Sequence, residues 1–250
     1  MSDLFQFLCH MGDNTLVLGH RLSEWCGVAP VLEEDIALAN TALDLIGQTQ
    51  MWLALAAKTE GNGRSADDLA MLRDVGDFRN VLLVERPNED FGHTMMRQFL
   101  FDSWHVVALE RLQTSSNTEI TAIADKAIKE AQYHVMRSSE TVIALGDGTQ
   151  ESHDKMQAAL DALWPYAGEM FLDDAIDEAM MKDGIAPLPS TVRAEFYARI
   201  EDVFAQATLI QPVSSFAHRG GKDGFRHTEY LGHMLTQMQW MQRAYPGMNW

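Results

Sequence analysis

Apolar residues recur at three- and four-residue steps along most of this chain, and Gly or Pro cuts the pattern into long segments. Between residues 33 and 60, Ile36, Ala39, Leu43, Ile46, Gln50 and Leu53 keep that spacing until Gly61-Asn62-Gly63. The period is that of an α-helix, and the glycines are a stop signal. A first helix is predicted over residues 4–26, ending at Gly27-Val28-Ala29-Pro30. A third follows Asn88-Glu89-Asp90 and runs to about residue 114. Ser116-Asn117-Thr118-Glu119 has capping-box spacing and predicts a fourth helix, closed by Gly146-Asp147-Gly148. Helical patterns resume over about 151–182, 190–210 and 228–244. Residues 64–90 read as irregular, with a short helix near 67–73 and an extended piece at 81–84. No run of alternating residues predicts a sheet. Long helices with shorter additions predict an all-α bundle, one domain over residues 1–250.

Composition changes this picture little. A chain of 250 residues, 46% apolar and 22% charged, can bury one sizeable core. Charge is more selective: 19 Lys and Arg face 36 Asp and Glu, a net charge of −17. Phosphate backbones are bound by clustered cations, so nucleic acid is excluded as the main ligand. An acidic surface that aids solubility or attracts a basic partner fits better. Cys9 and Cys26 make neither a disulfide framework nor a zinc site and are expected as buried thiols of the first helix. Met1-Ser2-Asp3-Leu4 opens no secretory signal, and no apolar run is long enough for a bilayer, which predicts a cytoplasmic protein.

The candidate chemistry lies in acids and imidazoles on apolar helix faces. Asp102 interrupts the stripe Met95, Phe99, Val106, Leu109, and His105 follows one turn later. This acid–His pair at i, i+3 is close to the Glu-x-x-His spacing of di-iron carboxylate bundles. In the fourth helix Ile123, Ala127, Glu130, His134, Thr141 and Leu145 share a face, but there the acid and His are four apart. The second helix adds Asn40, Asp44 and Gln48, and the first adds His20 and Glu24. Such groups cost several kcal/mol if buried unpaired, so something must satisfy them.

Two readings compete. Glu24, Asp44, Asp102, His105, Glu130 and His134 could bind two irons, or they could form a metal-free network at a vestigial metal position. Iron wants about four carboxylates and two His, with an acid–His i, i+3 pair on each of two helices. Here one such pair exists, its acid is the shorter Asp, and Gly47 stands where a second His would be. The spacing favours the network. His10 and His93 read as surface or satisfied histidines, and Met234, Met238 and Met241 as core filling. The stretch from Phe216 to His227 resembles a phosphate loop only superficially. It holds the densest basic cluster, Arg219, Lys222 and Arg226, among Gly220, Gly221 and Gly224.

Several blocks together resemble the PaaC family, the structural subunits of bacterial phenylacetyl-CoA epoxidase (ring 1,2-phenylacetyl-CoA monooxygenase) complexes. They are Gly12-Asp13-Asn14, Arg21-Leu22-Ser23-Glu24-Trp25-Cys26, Asp35-Ile36-Ala37-Leu38-Ala39-Asn40 and Leu43-Asp44-Leu45-Ile46-Gly47-Gln48. Asp102-Ser103-Trp104-His105-Val106, Lys126-Ala127-Ile128-Lys129-Glu130-Ala131, Gly220-Gly221-Lys222, Gly224, His227-Thr228-Glu229 and Leu231-Gly232 continue it to the end of the chain. The resemblance implies a ferritin-like helical bundle with additional C-terminal helices. It also implies a multicomponent di-iron oxygenase whose related catalytic subunit binds phenylacetyl-CoA and epoxidises its ring. A reductase supplies electrons from NADPH, and the homo- and hetero-oligomeric complex includes a small accessory subunit. On this reading the present chain holds no cofactor and no catalytic residue, and supports the catalytic subunit in phenylacetate degradation. Arg219, Lys222 and Arg226 would then meet a partner subunit or the phosphates of CoA. A self-sufficient ferritin-like di-iron oxidase or oxygenase is the alternative, and a scaffold for another acyl-CoA enzyme a third reading.

Overall fold

The computed structural model describes residues 2–214 and 218–248, so Phe216 and Ala217 of the glycine-rich stretch lie outside the described residues. Helix α1, Asp3–Ser23, starts where the Ser2 hydroxyl accepts the Phe5 N–H. It is buried almost all round, as a central helix must be. A turn returns the chain into α2, Leu32–Glu60, which ends where Gly61 takes φ +72° and its N–H reaches the Ala57 carbonyl. The two helices pack closely. A Cβ on Gly12 would lie 2.8 Å from Leu53 Cδ2, so a larger residue there would have to displace the Leu53 side chain.

A second hairpin joins α5, Phe91–Leu112, to α6, Thr118–Gly146. Asp90 caps α5 through the His93 N–H. The cap of α6 is Asn117, whose side chain accepts from Glu119 and Ile120, whereas Ser116 donates to the Asp183 carbonyl. The N-cap therefore moves by one residue to Asn117, and the expected capping box is not formed, because the third helical residue is then Ile120.

Residues 61–90 form the connection between the hairpins. It contains α3, Ala66–Met71, a 3-10 turn at Val75–Asp77, and α4, Leu82–Glu85. The extended piece expected at 81–84 is thus helical from Leu82. Val81, Leu82, Leu83 and Val84 are all buried, and a short, wholly buried apolar run gives strand and helix the same pattern. Two antiparallel helix hairpins joined by one long crossover have the connectivity of ferritin-like bundles. The fold is all-α and ferritin-like, with no strand among the described residues.

The crossover is pinned by charge. Asp13 of α1, fully buried, pairs with the buried Arg73 guanidinium and accepts the Arg79 N–H at 2.9 Å.

Beyond α6 come α7, Gln150–Ala167, a 3-10 turn at Gly168–Phe171, α8, Ala175–Lys182, α9, Arg193–Gln206, and α10, Glu229–Ala244. The helical pattern expected over 151–182 is broken between Ala167 and Asp174: α7 runs past Pro165 to Ala167, a 3-10 turn follows, and Asp174 caps a new helix. Phe99, Phe101, Trp52, Trp164 and Phe196 fill the core.

Two smaller expectations change in part. Cys9 is buried and its thiol is pushed up to about 12 by burial, but α1 stops before Cys26, which is exposed. His10 and His93 are both buried; His10 is satisfied by the Arg79 carbonyl at 2.7 Å, whereas His93 Nε2 has no hydrogen-bond partner among the described residues. No helix among the described residues is long and apolar enough to cross a membrane.

Candidate functional site

The polar groups expected inside the bundle lie along a seam between α2, α5 and α6. Asp102 of α5 is 1% exposed and accepts from Gln98 Nε2 at 2.6 Å and from Ser138 Oγ of α6 at 2.8 Å. Burial pushes its carboxyl up to about 6, against the pull of His134 and those two hydrogen bonds. His134 Nε2 lies 3.0 Å from the Asp44 carboxylate of α2. Gln48 Nε2 of α2 donates to Glu130 of α6 at 2.9 Å.

His105 is different. It is 1% exposed, packs against the Phe101 ring at 5.1 Å, and has no hydrogen-bond partner on either ring nitrogen among the described residues. Burial, with His134 adding to it, drives its pKa down to about 3, so the imidazole is neutral. Gln48 Oε1, Gln98 Oε1, Ser103 Oγ and His134 Nδ1 are likewise buried without a partner among the described residues.

Of the six residues expected to form a network, only Asp44 and His134 meet each other directly. No hydrogen bond among the described residues joins any two of Asp102, His105, Glu130 and His134; each acid turns to another partner. Gln98 and Ser138 were missed. Each sits four residues from a recognised member, Asp102 and His134 respectively, on the same helix face. Glu24 does not reach the seam. It follows the last residue of α1, is exposed, pairs with Arg21 at 2.8 Å and accepts from Asn88 at 2.9 Å.

This donor set does not fit a di-iron centre, which needs about four carboxylates and two imidazoles converging. Asp102 spends its oxygens on Gln98 and Ser138, Glu130 meets Gln48, Asp44 meets His134, and Glu24 lies at a helix end. Among the described residues no three His, Cys, Asp or Glu side chains gather as metal ligands.

The expected basic cluster also divides. Lys222 is buried, ion-paired with Asp177 and, at 3.4 Å, with Asp174, and it donates to the Leu172 carbonyl at 2.9 Å. It is an internal counter-charge for α8, leaving Arg219 and Arg226 exposed. Two buried carboxylates clasp the loop around it. Glu169 accepts the N–H groups of Gly220, Gly221 and Lys222 on one oxygen, at 2.7, 2.8 and 3.2 Å, and that of Leu82 on the other at 2.7 Å. Gly221 is required here, since a Cβ would lie 2.4 Å from the Asn80 carbonyl oxygen. Glu85 accepts from Asn80 at 2.9 Å, from the Thr228 N–H at 2.7 Å and hydroxyl at 2.6 Å, and meets His227 Nδ1 at 2.5 Å. Burial opposes charge on His227, but Glu85 and the Phe78 carbonyl outweigh it and raise the pKa of the imidazole. Beside this clasp opens a groove of about 1030 Å³, lined by Arg86, Tyr166, His218, Arg219, Arg226 and Tyr230 among others.

Fold and seam together define a ferritin-like carboxylate bundle. Comparison narrows that class: a family model described as phenylacetic acid catabolic protein matches residues 1–250, and the chain belongs to that family. It is 46% identical over 250 residues, the whole of both chains, to the C component of the 1,2-phenylacetyl-CoA epoxidase of Escherichia coli (strain K12).

Proposed function

We propose that this chain, folded as one ferritin-like domain, is the structural and non-catalytic subunit of a cytoplasmic multicomponent di-iron oxygenase that epoxidises the ring of phenylacetyl-CoA. The observation that carries the reading is its 46% identity, over the full length of both chains, to a protein named as the C component of that epoxidase. The non-catalytic part rests on the seam, whose acids are hydrogen-bonded to Gln and Ser instead of converging. On this reading iron sits in a related catalytic subunit, electrons reach it from NADPH through a reductase, and the assembly includes a small accessory subunit. The exposed Arg219 and Arg226, without Lys222, serve a partner subunit or the CoA phosphates.

The test is to purify the chain from iron-supplemented cells, measure metal by plasma emission, and assay phenylacetyl-CoA epoxidation with and without the catalytic subunit and reductase. The chain alone is expected to be inactive and to lack stoichiometric iron, and to raise activity when added to the other components. Two irons per chain with the absorption of an oxo-bridged centre would instead favour the self-sufficient oxidase.

A further inference from the structure

Three arginines line one groove and meet no carboxylate among the described residues. Elsewhere Arg21, Arg64, Arg73, Arg111, Arg137 and Arg243 are each ion-paired, as expected of a chain with 36 acids against 19 Lys and Arg. Arg86, Arg219 and Arg226 have no such pair, and all three line the groove of about 1030 Å³ beside the clasp. Of the five acids on its wall, four are already engaged. Glu169 holds backbone N–H groups, Asp174 meets Lys222, Asp173 accepts from Ser190, and Asp223 accepts the Phe225 N–H. Glu229 is left as the one free acid among the described lining residues, against three free cations. Helix α10 also opens onto this groove. The hydroxyl of its N-cap, Thr228, donates to Glu85 and caps no N–H of the first turn, whose donors therefore favour an anion.

Aromatic rings complete the wall. The Arg86 guanidinium lies 4.9 Å from the centroid of the Tyr166 ring and 5.1 Å from that of Tyr230. The ring faces hold it by cation–π attraction without using its N–H donors, and its Nε is buried with no hydrogen-bond partner among the described residues. A guanidinium fork fixed with its donors free matches two phosphate oxygens at once. His218 stacks on Tyr166 at 4.4 Å, and Phe225 lines the same groove almost fully exposed, so flat rings are at hand for a base to stack on. We infer that the groove binds a nucleoside diphosphate group, carried either by a free nucleotide or by the nucleotide end of CoA. This deepens the function proposed above. Charge sets the size of the ligand. A net charge of −17 repels a nucleic-acid strand or an acidic protein surface as a whole. A compact diphosphate instead sits in the local field of three arginines, with distant acids screened beyond about 10 Å at 0.1 M salt. The volume of the groove is at the upper end of the roughly 300–1,000 Å³ usual for small-molecule sites.

The test is calorimetric titration of the purified full-length chain at low salt with ADP, adenosine 3′,5′-bisphosphate, CoA and inorganic phosphate. Wild type is expected to take one ADP per chain, with a Kd that rises as salt is added. Arg219→Ala combined with Arg226→Ala should weaken ADP by about 10-fold or more, since both changes remove charge-assisted donors. Its thermal unfolding should match wild type, because both side chains are exposed. Arg86→Lys keeps the charge but loses the planar fork, and should weaken ADP by about 10-fold. Lys126→Ala combined with Lys129→Ala makes the same change in net charge at exposed positions of α6 and should bind as wild type. A preference of about 10-fold for CoA and adenosine 3′,5′-bisphosphate over ADP would assign the site to an acyl-CoA, and equal affinity to free nucleotides. Absence of ADP binding, equal binding by the double arginine variant, an equal loss in the lysine variant, or inorganic phosphate held as tightly as ADP would each overturn the inference. The proposed function fails separately: a chain that binds no ADP yet raises epoxidation leaves that function standing, and one that binds ADP without raising epoxidation sinks the function and keeps the site.

Discussion

The clasp around residues 218–228 and the seam between α2, α5 and α6 both bury ionisable side chains, but they satisfy them to different degrees. In the clasp, Glu85 and Glu169 each meet four donors, and Lys222 meets two carboxylates and a carbonyl. In the seam, Asp102 meets two neutral donors and His105 meets none among the described residues. Buried polar groups stabilise a fold when every member is paired and cost stability when some are not. The clasp therefore holds the structure together, while the seam is tolerated by it.

The largest effect should come from the clasp. Glu85→Ala leaves the donors of Asn80, Thr228 and His227 buried without an acceptor, and should cost about 3–5 kcal/mol in chemical denaturation. Asp102→Ala should cost less, about 1–3 kcal/mol, because two neutral donors lose their acceptor. Glu119→Ala, which removes an exposed pair with Lys58, should change stability by less than about 1 kcal/mol. Equal losses for Glu85→Ala and Asp102→Ala would erase the distinction between the regions. Replacing His105 with Leu should raise stability by about 1–2 kcal/mol at neutral pH, since two unpartnered ring nitrogens leave an apolar site. A loss there would mean that His105 has a partner that is not among the described side chains.

Titration sharpens the contrast, because the two regions depend on pH with opposite sign. His105 has a folded pKa of about 3 against roughly 6.5 when unfolded, so the unfolded chain binds the proton first. Its contribution to stability is complete above about pH 6.5 and is lost as the pH falls below that value. Asp102, raised to about 6, partly offsets this loss, since the folded chain takes up its proton first. His227 is raised, so its contribution is complete below about pH 6.5 and is lost as the pH climbs through the folded value. Denaturation of His105→Leu and His227→Gln between pH 5 and 8 should therefore remove the acid-side loss in the first variant and the alkaline-side loss in the second. The smallest effect on stability is expected for Arg219→Ala with Arg226→Ala. Exposed charges contribute little to the fold, but subunit association should weaken or the KM for phenylacetyl-CoA rise, and added salt should mimic the change in wild type.

The long helices could be read from the sequence because an uninterrupted apolar period specifies them without tertiary help. The turn at Leu82–Glu85 could not, since four buried apolar residues in a row have no exposed face to set a period. The seam was half legible. Asp102 and His134 announce themselves as polar residues on apolar stripes. Their partners do not, because whether Asp102 turns to Ser138 depends on its rotamer and on the rotation of α5 against α6, neither of which the sequence states. Lys222 was misread for a related reason. Nothing local marks it as buried, and its counter-ion Asp177 lies 45 positions earlier in the chain.

The clasp also gives the chain a direction in time. Glu85 and Glu169 wait for donors that lie up to 143 and 53 positions further on. When the last residue of α6 has been synthesised, both helix hairpins are complete in sequence, yet Thr228 is still 82 codons away. At roughly 5–20 residues per second, that gap lasts about 4–16 s. Throughout it the nascent bundle must keep Glu85 in contact with water, so the crossover between the hairpins cannot close fully until the carboxyl-terminal segment emerges. Translation that stops short of residue 228 would leave both hairpins intact in sequence and the crossover open, a form that quality-control proteases can recognise.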